Sequence, residues 1–236
     1  MNLRLLIPAL LLSAASIAAQ TPAAAPAKGD LPAKADASPT PQAHTSELGF
    51  SYSVPSDWEV VDTKPSLPVV QQQVEKNATS EAEKRGINCV QIALTARHGS
   101  PASVVVVVAL PFDCFGQTMT EKDLPGFAQG AAQGLTQTFD ISDPVYGAYS
   151  LGTHSMWIER SKGALKEHSE LQYTVETVCT ILKKGAVCWM ALGADKDGLT
   201  IFESGAVNLD GDAQPALVPA TAFDKKPSEI LASIDF

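Results

Sequence analysis

The sequence predicts an α+β protein in which an antiparallel β-sheet is flanked by helices on both faces, an α/β/α sandwich. Segments that alternate apolar and polar residues, separated by turn residues, predict the strands, and two longer segments with apolar residues three or four apart predict helices. The five valines at 104–108 form a strand with no polar face, so both of its sides must be covered. The predicted order ββα-ββα-ββββ-α fits this class.

The first predicted strand carries Phe50, Tyr52 and Val54 on one side and ends at Pro55, and a second strand begins at Trp58. A helix is expected at 68–85, ended by Gly86. Its apolar face is formed by Val70, Val74, Ala78 and Ala82.

Two strands at 88–97 and 103–110 follow, and then a helix capped by Thr120. Its predicted inner face consists of Phe127, Ala131, Leu135 and Phe139. Beside that face lie Gly126, Gly130 and Gly134, which predict close contact between the helix backbone and the sheet. The last part of the chain predicts strands at 145–151, 155–159, 171–182 and 186–192 and short helices at 199–207 and 228–234.

The composition is that of a globular protein: 236 residues, 45% hydrophobic and 18% charged, with a formal net charge of −9. This acidic balance argues against nucleic acids and anionic membrane surfaces as partners, because both bind basic patches. Beyond the N-terminus, no apolar run is long enough to span a bilayer.

The N-terminus predicts export. Residues 1–19 have the pattern of a secretory signal peptide: Arg4, an apolar stretch at 5–12, and the small-x-small sequence Ser16-Ile17-Ala18. No cysteine precedes Cys89, so a lipoprotein anchor is not expected. The mature protein is expected in the periplasm or outside the cell, without a membrane anchor.

Residues 20–45 are rich in alanine and proline and have few large apolar side chains. Such a segment buries too little surface to offset the entropy lost on ordering, which predicts a disordered linker. Residues 46–236 are then expected to form a single α+β domain.

The chain has four cysteines, Cys89, Cys114, Cys179 and Cys188. An even number in an exported chain predicts two disulfides, and three pairings are possible. The simplest joins Cys179 to Cys188 across a hairpin, offset by about one residue pair, and Cys89 to Cys114 around another. A zinc site is the alternative, but neither pair has the two- to four-residue spacing typical of zinc ligands. We expect no metal and no cofactor.

No catalytic motif is present: the sequence lacks the serine hydrolase elbow, the HExxH motif, the phosphate-binding loop and the dinucleotide fingerprint. His44, His98 and His168 are interpreted as solvated. His154 adjoins Ser155, but neighbouring strand residues point to opposite faces. The acidic segments at 195–198 and 210–212 lack the spacing of a calcium loop and are interpreted as turns.

Aromatic residues on the predicted strands are candidates for a ligand platform, but packing beneath the helices is the favoured interpretation because large aromatics are mostly buried. The residues concerned are Trp58, Trp157, Trp189, Tyr146, Tyr149 and Tyr173.

The segment Gly49-Phe50-Ser51-Tyr52-Ser53-Val54-Pro55, followed by Asp57-Trp58, resembles the F-x-Y-x-x-P-x-x-W opening of the PsbP-like proteins. The resemblance spans this motif and the element order over residues 46–207. It implies an antiparallel sheet with flanking helices and an accessory or binding role. It transfers no functional residue.

Two functions follow as hypotheses. The first is an exported, non-enzymatic accessory or binding module for an unknown protein or envelope component. The alternative is a hydrolase-type enzyme whose site is assembled from distant residues, with His154 and an acidic partner. A cleft that holds His154 beside a buried carboxylate would favour the enzyme, and a shallow apolar groove without titratable groups would favour binding.

Overall fold

The computed structural model describes residues 42–54, 56–62, 71–72, 75, 80–99, 103–136, 138–151, 153–193 and 207–210. The predicted signal peptide, most of the predicted linker, the acidic segment at 195–198 and the helix at 228–234 lie outside these residues. So does the helix at 199–207, except for its last residue.

A seven-stranded antiparallel sheet forms the centre of the protein, in the order β3-β4-β5-β9-β8-β7-β6. Its strands confirm those predicted from the pattern, but some boundaries differ: β6 begins six residues earlier than expected, β7 ends six residues later, β4 begins three residues later, and β8 begins three residues earlier. Their bounds are β3 (Glu59–Val60), β4 (Gln91–His98), β5 (Ser103–Pro111), β6 (Phe139–Leu151), β7 (His154–Leu165), β8 (His168–Ile181) and β9 (Gly185–Gly193).

The five valines lie in β5, between β4 and β9, and each is at most 1% exposed. Val104, Val106 and Val108 face one side of the sheet, and Val105 and Val107 face the other. The prediction that both faces of this strand are covered is therefore confirmed.

Among the helices whose bounds the structure describes, three cover the first face: α1 (Glu81–Cys89), α2 (Phe112–Phe115) and α3 (Leu124–Leu135). A 3₁₀ turn at Glu121–Asp123 precedes α3. Thr120 caps this turn as predicted, because its backbone N–H and hydroxyl donate to the Asp123 carboxylate at 2.8 and 2.9 Å. Phe127, Ala131 and Leu135 are buried against the sheet.

Three details of the helix predictions are wrong. Gly86 lies within α1, which continues to Cys89 because Ile87 and Cys89 are buried and Cys89 is cross-linked. Phe139 belongs to β6, because α3 ends at Leu135. A side chain added at Gly126 would meet nothing within 4 Å, so close contact with the sheet is not the reason for that glycine.

A second, three-stranded sheet covers the other face. Its strands are β1 (Gln42–Thr45), β2 (Phe50–Val54) and β10 (Val207–Leu209), all antiparallel, with β2 in the middle. Phe50, Tyr52 and Val54 pack from β2 onto Trp189 and Val107 of the larger sheet. The ring of Phe50 lies edge-on to Trp189, with centroids 5.5 Å apart.

The α+β class is confirmed, but in the described residues the second face is covered by this small sheet and not by helices. The predicted linker boundary also moves, because the last four residues of the 20–45 segment form β1. Val207 starts a strand instead of ending a helix.

Both disulfides of the simplest pairing are present, so none of the four cysteines has a free thiol for the alternative zinc site. Cys89–Cys114 joins the end of α1 to α2, with the Cα atoms 5.5 Å apart. Cys179 and Cys188 lie directly opposite each other on β8 and β9, not offset by one pair as predicted.

Candidate functional site

A cavity of about 340 Å³ lies between α3 and strands β6, β7 and β8, on the helix-covered face of the larger sheet. This volume is within the range of small-molecule sites, about 300–1,000 Å³. The lining residues come from one face of α3 with the residue after it, and from three adjacent strands. They are Gln129, Ala132, Leu135, Thr136, Ile141, Tyr146, Glu159, Ser161, Val175 and Thr177.

The alternation of strand β7 points Glu159 into this cavity. Trp157, Glu159 and Ser161 face the helices, whereas Ile158 between them packs toward the smaller sheet. Glu159 pairs with Tyr146 on β6 and with Thr177 on β8. Tyr146, Glu159 and Thr177 thus form a cross-strand row along the cavity wall.

A β-bulge shapes the wall next to this row. In the β6–β7 pair, Ser142 lies opposite Lys162 and Val145 opposite Arg160, so two residues of β6 face Ser161 alone. The first of the two, Asp143, has a φ of 53°, and the second is Pro144. Because β6 is an outer strand, the bulge and the proline also discourage pairing with another chain.

Among the described residues of the cavity wall, Glu159 is the one carboxylate, and it is 7% exposed. No hydrogen bond or ion pair from the described part of the chain reaches its oxygens. Burial without a compensating partner disfavours the charged form and raises the pKa of Glu159 to about 7. A buried carboxyl with such a pKa in a cavity is a feature of functional sites.

Tyr146 is half-buried beside this carboxyl. Desolvation, and then the charge of Glu159, raise the pKa of the Tyr146 phenol. Its ring lies 6.2 Å from that of Trp157, which extends the aromatic surface below the cavity. The indole N–H of Trp157 is buried and has no hydrogen-bond partner among the described residues.

Packing beneath the helices is confirmed for Trp157 and Tyr173, each 3% exposed. Trp189 is buried too, but beneath the smaller sheet and not beneath the helices, and Trp58 lies partly buried at the border of the same core. The Tyr149 side chain is outside the described residues, and of the other five Tyr146 alone is among the described residues of the cavity wall.

Three histidines have no part in the cavity. His98 and His168 are exposed as predicted, and their nitrogens lie 3.2 Å from Asp57 and 3.3 Å from Glu170. His44 is not in a solvated linker: it lies in β1, half-buried, and its Nε2 has no partner in the described chain.

His154 does lie beside a buried carboxylate, as the enzyme hypothesis required, but away from the cavity wall. Its Nε2 is 3.7 Å from Asp210 Oδ2, and its Nδ1 is 3.4 Å from the Ile181 carbonyl oxygen. Asp210 also accepts a hydrogen bond from the Lys183 backbone N–H at 3.2 Å. These contacts attach the end of β10 to the larger sheet, so we interpret the pair as structural.

Glu159 was missed by sequence reasoning, although a signal for it exists. It is a lone charge at the end of the predicted strand 155–159 and lies two residues from Trp157, on the same side. A carboxylate in the register of a buried tryptophan indicates an inward-facing charge.

Within the ranges that the structure describes, no cluster of three or more histidine, cysteine, aspartate or glutamate side chains could hold a metal. No helix there is both long and apolar enough to cross a membrane.

Comparison with protein-family models gave no match, and comparison with curated proteins gave none. The solved structures that are similar to this chain include the following two. The solution structure of cyanobacterial PsbP (CyanoP) from Synechocystis sp. PCC 6803 has 12% identity and a TM-score of 0.40, and the match covers 76% of this chain and 98% of that one.

The second is the crystal structure of LpqN, a protein involved in cell envelope biogenesis of Mycobacterium tuberculosis. It has 16% identity and a TM-score of 0.37, and the match covers 72% of this chain and 90% of that one. The structure comparison thus also gives a likeness to a PsbP protein. At this level of similarity it says nothing about ligand or activity.

Proposed function

We propose that this protein is an exported, non-enzymatic binding module that holds a small ligand or part of an envelope component in the cavity between α3 and β6–β8. The observation that carries the proposal is the buried Glu159 carboxyl, which faces a ligand-sized space and has no protein partner in the described chain. Retaining such a group costs stability, and a ligand that pairs with it would offset that cost.

Export is supported by the two disulfides, since disulfides persist in oxidising compartments, and by the signal-peptide pattern at 1–19. In this proposal the signal peptide is cleaved, the segment up to residue 41 is a spacer, and the remainder acts in the periplasm or outside the cell. The partner is a protein or envelope component; nucleic acid and a membrane anchor have no part in it.

The hydrolase alternative has two observations on its side: His154 lies beside Asp210, and the cavity holds the titratable Glu159. They are apart, however, because neither His154 nor Asp210 is among the described residues that line the cavity, so binding is the proposal that the geometry supports better. Glu159 could accept a proton near neutral pH, but no hydrogen bond within the described residues places a nucleophile on it.

The experiment is native mass spectrometry of the full-length sequence expressed in a bacterium with a periplasm and purified without reductant or chelator. We expect the mass of the cleaved chain, less four hydrogens, together with a bound small molecule. Ala132→Leu places a larger side chain in the cavity wall and should abolish the adduct, whereas Ala43→Leu, on the exposed side of β1, should retain it. An uncleaved cytoplasmic chain would contradict export, and an adduct unchanged by Ala132→Leu would contradict the cavity.

A further inference from the structure

The charges around the cavity are of one sign. Glu159 and Tyr146 are the ionisable residues of its wall, and both become negative when they lose a proton. Helix α3 has no charged residue over its twelve positions, and the facing residues of β8, Val175 and Thr177, are neutral. A charged group that enters the cavity therefore meets a carboxylate and, among the described residues of the wall, no fixed cation.

The end of α3 adds to this negative character. Leu135 and Thr136 bring the C-terminal end of the helix to the cavity, where the helix dipole favours cations. A lysine is bound there already: Lys166 Nζ donates to the Thr136 carbonyl oxygen at 2.6 Å and lies 4.0 Å from Asp140. That ammonium contacts Thr136 and Asp140 and not Glu159, and Lys166 is not among the described residues of the cavity wall.

The acceptors, the aromatic ring and the apolar side chains of the wall suit an organic ammonium group as well. A primary ammonium has three N–H donors and no acceptor. Glu159 offers carboxylate oxygens, and Ser161 and Thr177 offer hydroxyl oxygens from the same face. The Tyr146 ring supplies a surface for cation–π contact. Leu135 and Ile141 form an apolar flank that would bury the body of the ligand.

We infer that the cavity selects a small organic amine, with its ammonium group on Glu159 and Tyr146 and its apolar body against α3. This inference rests on the proposed binding function and adds the chemical class of the ligand. An acid of the same shape would meet the like charge of Glu159, and an alcohol would lose the ionic contact.

The test is a ¹H–¹⁵N NMR titration at pH 8 with phenethylamine, 2-phenylethanol and 3-phenylpropionate, which share a phenylethyl body and differ in charge. We expect phenethylamine to shift the amides of the cavity wall and to bind at least about tenfold more tightly than the other two probes. Glu159→Gln should remove this preference. The control is Glu121→Gln, which changes an exposed glutamate in the 3₁₀ turn before α3, at the end of the helix away from the cavity. This variant should keep the preference for phenethylamine.

The pH dependence provides a second readout on the same samples. Because an ammonium pairs with the ionised carboxyl, the affinity for phenethylamine should fall by about tenfold per pH unit below the pKa of Glu159, about 7, and should be constant above it. The affinity for 2-phenylethanol should not follow this curve.

Equal affinity for the three probes, or a preference for 3-phenylpropionate, would overturn the amine selectivity while leaving the proposed binding function intact. The absence of shifts in the cavity wall with any probe up to its solubility would also overturn it. The mass-spectrometric comparison of Ala132→Leu and Ala43→Leu tests the binding function separately.

Discussion

Tyr146 lies directly opposite Glu159 in the β6–β7 pair, and both side chains face the space beneath α3. Burial disfavours ionisation of both side chains, and the charge of Glu159 further disfavours ionisation of Tyr146. Two acidic groups are therefore held in register on neighbouring strands without a cation in the cavity wall.

Replacing Glu159 by glutamine should stabilise the protein at alkaline pH. The folded-state pKa of Glu159 is raised from 4.5 to about 7, so the folded state binds the proton more tightly than the unfolded chain. The stabilisation that this tighter proton binding gives the folded state is fully present below pH 4.5 and is lost as the pH rises through 7. At pH 8, the free energy of unfolding of the Glu159→Gln variant should therefore be higher than that of the wild type by up to about 3 kcal/mol.

Urea denaturation of both proteins from pH 4 to pH 8 checks this prediction. The two curves should converge near pH 4 and separate between pH 5 and pH 7. A constant difference across the range would show that Glu159 has the same pKa in the folded and unfolded protein, and would contradict the prediction.

Removing either disulfide should destabilise the domain. In the chain-entropy model, loss of the Cys89–Cys114 cross-link, with a sequence separation of 25, costs about 3.5 kcal/mol. Loss of Cys179–Cys188, with a separation of 9, costs about 2.7 kcal/mol. The paired alanine variants, compared by denaturant unfolding, measure each cost, and a melting temperature unaffected by reductant would contradict both.

Alanine should be poorly tolerated at Gly49. The residue has a φ of +101°, and an added Cβ would lie 2.6 Å from Asp210 Oδ1. Gly116 also has positive φ, +73°, but has open space around it. We expect Gly116→Ala to cost about 1 kcal/mol from backbone strain alone, and Gly49→Ala to cost roughly 2–3 kcal/mol because Asp210 must also move. Equal melting temperatures for the two variants would show that the contact with Asp210 is relieved at no cost.

Removing the Asp210 carboxylate should loosen β10. This side chain accepts from the Lys183 N–H and approaches His154, so it ties the small sheet to the β8–β9 turn. We expect Asp210→Ala to cost about 1–2 kcal/mol and to speed amide hydrogen exchange in β10. Glu170→Ala, at an exposed ion pair with His168, should change stability by less than about 0.5 kcal/mol. Unchanged exchange in β10 would contradict the role given to Asp210.

The strands of the larger sheet and both disulfides were predictable because their signals are local. Apolar continuity marks 104–108, and the turn at 183–185 brings Cys179 and Cys188 onto adjoining strands. The sequence does not predict where β6 begins, because Phe139 continues the spacing of the helix before it although the helix ends at Leu135.

The small sheet was only partly predictable, because its strands come from distant parts of the chain. β2 has a clear alternation, but β1 reads Gln-Ala-His-Thr and β10 has three residues, and neither has a pattern of its own. Their pairing with β2 depends on tertiary contacts. The cavity likewise depends on how α3 lies over β6–β8, and sequence spacing does not encode this placement.

The position of β5 determines the order in which the protein can fold. Its neighbours are β4, which precedes it directly, and β9, whose residues come 74 to 88 positions later in the chain, as the pairings of Pro111 with Gly185 and of Val104 with Leu192 show. Until β9 arrives, the five valines form an apolar strand with one open edge, which is a template for aggregation. We therefore expect the chain to be prone to aggregation until β9 has been synthesised, and a chain truncated before residue 185 to precipitate instead of forming a smaller domain.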